Sequence, residues 1–226
     1  MGDSAELEQL RELIELFPAE YSIDEVEEAN RITRTRFDAL DNQLIPYFAN
    51  TLVKGEGETS IDGYIGFCKS FHTLIFKEII SINGEFRSSD HDGSGSVYFG
   101  GQKRQELKPR FTGSKPENIE NDLRDAFKFL MDLESDTPVD NALRFYQKFV
   151  FTHPFYDGNG RIARLFVNLY LLAYGKFIDW KNLQNKGKFL NKLNYYHETS
   201  KEEHFKWWAK VCYKFVYEIS DEDERG

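Results

Sequence analysis

Cysteine is scarce in this chain. Only Cys68 and Cys212 occur, both in apolar stretches with helical patterning. With no Cys/His cluster at zinc spacing, that argues against a disulfide scaffold or a structural zinc site, and two reduced core cysteines are expected. Basic charge is also short: 29 Lys and Arg stand against 38 Asp and Glu, a formal charge of −9. A chain that binds nucleic acid usually shows a basic face, so no nucleic-acid partner is expected. Long apolar runs are missing. The longest, Leu165 to Tyr174, is broken by Asn168 and far too short to span a bilayer. No apolar segment follows a basic start, and Glu6 stands where a myristoylation signal needs Ser or Thr. The expectation is a cytoplasmic protein without membrane contact. His72, His91, His197 and His204 are scattered and read as structural or exposed.

Aromatic residues are plentiful, with 20 Phe and 12 Tyr among 226 residues. Rings of that size bury much area each, enough for one core built largely on Phe. The periodicity predicts an all-α fold. Leu7, Leu10, Leu13, Ile14 and Phe17 lie on one face of a first helix, which Pro18 ends. Ser22 and Glu25 form a capping-box pattern for a second, running through Arg36. Ser60 or Asp62 caps a third over 61–80. Residues 83–116 interrupt the pattern with glycines and prolines. They read as a long functional loop carrying one small hairpin between about 94 and 112. Helices resume over 116–133 and 138–152, each with Pro in its first turn. The stretch Ile162 to Tyr174 is mostly apolar and belongs at the centre of the core, with Gly175 at its end. A helix over 183–197 follows, then a last one capped by Thr199 or Ser200 and running through Ile219. The expected division is N-terminal helices packing on the core (1–60), the main domain (61–218) and an acidic tail (219–226).

The chemistry concentrates in His153-Pro154-Phe155-Tyr156-Asp157-Gly158-Asn159-Gly160-Arg161-Ile162-Ala163-Arg164. Gly158-Asn159-Gly160 runs directly into a helix, where unpaired N–H groups and a partial positive charge await an anion. Arg161 and Arg164 are three apart and share one helix face, as suits a polyphosphate. Asp157 at the mouth of the turn is the carboxylate that beside phosphates usually means Mg²⁺. His153 could take a proton from an attacking hydroxyl. Phe155 points into the core. Singly, these residues fit a plain turn, a solvated arginine face, an Asp-Gly turn and a helix cap. Together they form a base, a metal carboxylate, an anion cradle and two guanidiniums. No Cys or Ser nucleophile has a base beside it, and no P-loop Lys is present. The parts fit in-line attack on a nucleotide phosphate.

The pattern His-x-Phe-x-Asp-Gly-Asn-Gly-Arg-x-x-Arg resembles the signature of the Fic family at every defining position. Asn83-Gly84-Glu85-Phe86-Arg87, followed by Val97-Tyr98-Phe99-Gly100-Gly101, is similar to that family's lead into its flap. The resemblance covers roughly 61–218. It implies a helical bundle with a small β-hairpin flap and a protein adenylyltransferase. ATP and Mg²⁺ would be used to place AMP on a Ser, Thr or Tyr hydroxyl of a target protein. It further implies His153 as the base and Asp157 as the holder of Mg²⁺. By the same resemblance the backbone at Gly158 to Gly160, with Asn159, would form the anion hole, and Arg161 and Arg164 would hold the β- and γ-phosphates. The flap at Val97, Tyr98, Phe99 and Gly100 pairs with an extended target segment.

Many members of that family are restrained by a glutamate that reaches the second motif arginine, in the pattern Ser or Thr, three residues, Glu, then Gly or Asn. No segment here matches it fully. Glu224, four residues after Ser220, is one candidate. Glu203 after Thr199 and Glu56 before Gly57 are the others, and capping or loop roles explain each as well. A toxin component held off by a separate antitoxin protein is the alternative function.

Overall fold

The computed structural model describes residues 2–19, 26–44, 60–99, 111–183 and 186–219. Among these residues the fold is helical with two small antiparallel strand pairs. Helix α1 spans Gly2–Leu16 and α2 spans Val26–Ala39, continued by a π turn at Leu40–Leu44. Helix α3 spans Ile61–Phe76, and the Ser60 hydroxyl caps it by accepting the Gly63 N–H. The expected cap at Ser22 and Glu25 and the loop before Ser60 lie outside the described residues.

Two helices form the centre. Helix α6 (Pro138–Thr152) has Pro138 in its first turn and buries Val139, Ala142, Leu143, Phe145, Tyr146 and Phe149. Helix α7 (Asn159–Leu172) packs along it and buries nearly every apolar side chain it carries, as its sequence requires. The Phe127 ring, from α5 (Ile119–Phe127), meets Tyr64, Phe145 and Phe166 at 5.2, 5.0 and 5.1 Å. A 3-10 turn precedes α5 at Pro116–Asn118 and another follows at Lys128–Leu130. Cys68 and Cys212 are both free and buried.

The interruption at 83–116 holds a short helix α4 (Ser89–Asp92), capped by Ser88, which the glycine-rich composition had hidden. Strands β1 (Tyr98–Phe99) and β2 (Phe111–Thr112) pair as Tyr98 with Thr112 and Phe99 with Phe111, the expected hairpin. Gly113 N–H extends the ladder to the Val97 carbonyl at 3.0 Å. Gly100 lies outside the described residues.

The C-terminal third differs from the expectation. Helix α8 is Lys186–Thr199, so Thr199 ends a helix rather than starting one. Helix α9 is Glu202–Cys212, with Lys201 at its N-cap and no side-chain cap. The helix does not run through Ile219. A 3-10 turn at Tyr213–Phe215 leads into β4 (Val216–Glu218), which pairs with β3 (Lys176–Ile178). The partner strand lies far away in sequence. Stacking of Phe177 on Tyr217 at 5.5 Å and the Lys176–Glu218 ion pair at 2.8 Å stabilise the strand over a further helical turn.

Helices α1 and α2 contact the rest of the fold. Leu10, Leu13 and Phe17 of the α1 segment join the main apolar cluster, and Ser81 N–H donates to the Phe17 carbonyl at 3.0 Å. From α2, the Arg36 guanidinium donates to the Lys77 carbonyl just past α3. Among the described residues, no helix is long and apolar enough to cross a membrane.

Candidate active site

The motif forms the connection between α6 and α7. Helix α6 ends because His153 takes a left-handed conformation, φ 51°, while its N–H still donates to the Phe149 carbonyl at 3.0 Å. A non-glycine residue holds that conformation only when its surroundings enforce it. Arg87 supplies the constraint. Arg87 is 2% exposed. Nε donates to the His153 carbonyl at 2.5 Å, Nη2 to the carbonyls of Thr152 at 3.1 Å and Ser114 at 2.8 Å, and Nη1 to that of Gly95. Its own N–H donates to the Pro154 carbonyl at 2.8 Å. One side chain thus ties the end of α6 to the base of the hairpin. The sequence carried a signal for it, an arginine beside Phe86 in the lead to the flap, but nothing local to say that it is buried.

The turn into α7 is held from within. Asn159 is 3% exposed; its Oδ1 accepts the Phe155 N–H at 3.0 Å and its Nδ2 donates to the Phe155 carbonyl at 2.8 Å. Its side chain therefore closes the loop, and what it offers an anion is its backbone N–H. Gly158 has φ +77°, and a Cβ there would lie 2.7 Å from the Phe76 ring. Only glycine fits both restrictions. The first regular bond of α7 is Ile162 N–H to the Gly158 carbonyl at 3.0 Å, so the N–H groups ahead of it are the helix's unpaired donors.

Arg161 pairs with Asp157 at 3.0 Å and lies over the Phe76 ring at 5.1 Å. Asp157 Oδ1 accepts the Gly158 N–H at 2.5 Å. Arg164 lies over the Phe37 ring of α2 at 5.7 Å. His153, Asp157, the Gly158 to Gly160 turn, Arg161 and Arg164 all line one cavity of about 590 Å³. That volume suits a nucleotide-sized ligand. The structure thus brings together every motif residue assigned to the chemistry. It also adds two walls that the motif did not announce. Asn30, Arg34 and Asp38, one face of α2, close the end beside Arg164, and the rings of Trp180 and Phe189, with Leu183, form an apolar, largely aromatic wall near Tyr146.

The hairpin reaches the same place. The Phe99 ring meets the His153 ring edge-on at 5.0 Å and stacks on Phe111 at 4.7 Å. Val97 and Tyr98 continue this strand, with Tyr98 exposed. Of the inhibitory candidates, Glu56 and Glu224 lie outside the described residues. Glu203 sits on α9 with its carboxylate 3.4 Å from His204 Nε2, and it does not line the cavity.

Burial holds the His153 imidazole neutral, with a pKa pushed down to about 4, and the Arg87 charge acts in the same direction. Its Nδ1 is buried and the Val150 backbone acts on the ring in the opposite direction, while His153 still lines the cavity, which leaves Nε2 as the nitrogen available to it. The rings of His72 and His197 are also depressed by burial, to about 3 and about 4. Each folded pKa lies below the unfolded value, so the unfolded chain binds more protons as pH falls through about 6.5. Stability should therefore be complete above that pH and drain away continuously down to about pH 3, the folded value of His72. Thermal melts between pH 7.5 and 4.5 check this, and a flat Tm over that window contradicts it.

Comparison with known proteins adds an independent line. Residues 66–171 match the model of the Fic/DOC family. Over 68 residues the chain is 41% identical to protein adenylyltransferase fic-1 of Caenorhabditis elegans, covering 29% of this chain and 13% of that protein. Over 85 residues it is 31% identical to protein adenylyltransferase Fic of Nematostella vectensis, covering 35% of this chain and 20% of that protein. The matched stretches thus span well under two thirds of these relatives. The N-terminal Fic domain of a Bartonella effector protein from Bartonella sp. AR 15-3 superposes with a TM-score of 0.64 at 14% identity, covering 94% of this chain and 93% of that one. The BepC protein of Bartonella tribocorum, solved with bound AMPPNP, gives 0.57 at 15% identity, covering 88% and 90%. At such identities the structural likeness concerns the fold.

Proposed function

This chain carries a Fic domain, and on that premise we propose that it transfers AMP from ATP to a hydroxyl side chain of another protein. The observation that carries the reading is the shared cavity. A neutral imidazole, the open N-terminus of α7 and two guanidiniums face one space of about 590 Å³. Nucleotides bound to proteins of the same fold, AMPPNP in BepC and ADP in a Bartonella quintana Fic domain, support a nucleotide there.

The placement supports a reaction of the following form. The unpaired N–H groups at the start of α7 receive the α-phosphate. Arg161 and Arg164 hold the outer phosphates, and the aromatic wall of Trp180 and Phe189 takes the base. His153 Nε2 accepts the proton of the target hydroxyl as its oxygen attacks the α-phosphorus. The new P–O bond forms as the bond from the α-phosphorus to the bridging oxygen breaks, and pyrophosphate leaves. The β1 edge beside His153 presents the target segment by strand addition.

Asp157 is the carboxylate of this cavity that fits Mg²⁺. No group of three or more His, Cys, Asp or Glu that could cage a metal occurs among the described residues. Mg²⁺ at a nucleotide is commonly bound by one or two carboxylates together with substrate phosphates. Bound there, Mg²⁺ supplies charge neutralisation on the phosphates. Asp157→Asn keeps an acceptor for the Gly158 N–H but loses the charge. The Mg²⁺ concentration for half-maximal transfer should rise about tenfold or more. An unchanged Mg²⁺ titration removes Asp157 from this role.

The decisive experiment supplies ATP labelled at the α- or the γ-phosphate, with Mg²⁺ and candidate target proteins. Transfer of the α-label to protein supports AMP transfer, and transfer of the γ-label alone overturns it.

A further inference from the structure

Beneath the motif loop lies a histidine that the transfer chemistry leaves unused. His72 of α3 is 1% exposed. Its ring stacks on Phe155 at 4.1 Å, with planes 12° apart, and on Phe76 at 4.6 Å. Its Nδ1 accepts the Gly84 N–H at 2.8 Å. A ring nitrogen that accepts a hydrogen bond carries no proton, so in the neutral ring the proton sits on Nε2. Gly84 is itself held in place, because at φ +80° a Cβ would lie 2.2 Å from Thr73 Oγ1. The tautomer is therefore set by the backbone.

That Nε2–H is buried and makes no hydrogen bond of good geometry, although the Asp157 backbone carbonyl already lies near enough to act on it. Native interiors seldom leave such a donor unused, and exceptions call for a reason. The loop lies at this edge of the ring. Cδ2, the carbon bonded to Nε2, would be 3.7 Å from a Cβ on Gly158, and Asp157 acts on the ring through both its carboxylate and its backbone carbonyl. Loop, ring and Gly84 thus form one column under the anion cradle.

We propose that His72 is a positioning residue for the phosphate loop, its Nε2–H closing onto the Asp157 backbone carbonyl when nucleotide settles against Asp157 and Gly158. The bond would hold the Asp157 carboxylate and the Gly158 to Gly160 amides in register with the phosphates. Its kinetic consequence rests on the nucleotidyl-transfer reading, whereas its structural consequence does not.

Two variants separate position from packing. His72→Phe keeps a stacking ring and removes both nitrogens. His72→Gln restores an acceptor for Gly84 and a donor for the loop. Hydrogen–deuterium exchange with Mg²⁺ and ATP is followed in peptides covering 155–160 and 165–171, alongside kcat and KM for ATP. In the natural protein, nucleotide should slow exchange at 155–160. His72→Phe should lose most of that slowing while 165–171 stays unchanged. Its kcat should fall about tenfold with KM within about threefold, and His72→Gln should recover most of the loss. Equal nucleotide protection of 155–160 in the Phe variant overturns the proposal. So does faster exchange throughout 165–171, which marks a general packing defect, or a Gln variant no better than Phe. If the natural protein transfers no AMP, the reaction assignment fails and the exchange measurement alone decides the role of His72.

Discussion

On the proposed AMP-transfer reading, His153→Ala should transfer AMP about 10²–10⁴-fold more slowly than the natural protein, the usual cost of a lost general base. Nucleotide binding should stay nearly intact, because in that proposal the imidazole acts on the incoming hydroxyl and the phosphates rest on α7 and its arginines. The loss should therefore appear in kcat, with KM for ATP changed little. The depressed pKa of this ring adds a second expectation. Since His153 is already neutral, kcat should not fall as pH drops through 6.5, and its acid limb should appear nearer pH 4, down to where the protein unfolds. Calorimetry with ATP and steady-state kinetics on the same preparation make the check. An Ala variant that binds ATP and transfers at the natural rate shows that another group takes the proton.

Arg87→Met destabilises the fold by about 3 kcal/mol or more, a fall in Tm of about 6–12 °C for a domain of this size. Arg87 serves four carbonyls from one buried guanidinium. Each buried acceptor left without a donor costs about 1–3 kcal/mol, and removing the desolvated charge offsets only part of that sum. Arg87→Lys should recover little, because an ammonium cannot reproduce the planar fork. The damage should also reach the chemistry, since the His153 carbonyl that Arg87 holds belongs to the residue in the strained left-handed conformation. A Met variant melting within about 2 °C of the natural protein would mean that water or neighbouring groups satisfy those carbonyls.

The helical periods and the motif were legible because both are local. Leu10 and Leu13, the Pro138 start, the Ser60 cap and the apolar run of α7 announce themselves within one or two turns. The strand at Val216–Glu218 was not legible, since the reason for it is Lys176–Ile178, far away in the chain. The short helix at Ser89–Asp92 was hidden for a different reason: four residues carry no periodicity to read.

By itself the sequence determined that one segment, His153 to Arg164, holds the chemical groups and sets them at the spacing of a turn entering a helix. Contiguous residues need only local geometry to meet. Only the tertiary structure decided what surrounds them. Asn159 is spent on closing its own loop, Arg87 reaches from before the hairpin to clamp the end of α6, and His72 lies under the cradle with an unused donor. It also placed α2 and Trp180 as walls of the cavity. Such roles depend on burial and on which distant backbone groups lack partners. Those are properties of the packed chain, and no short stretch of residues encodes them.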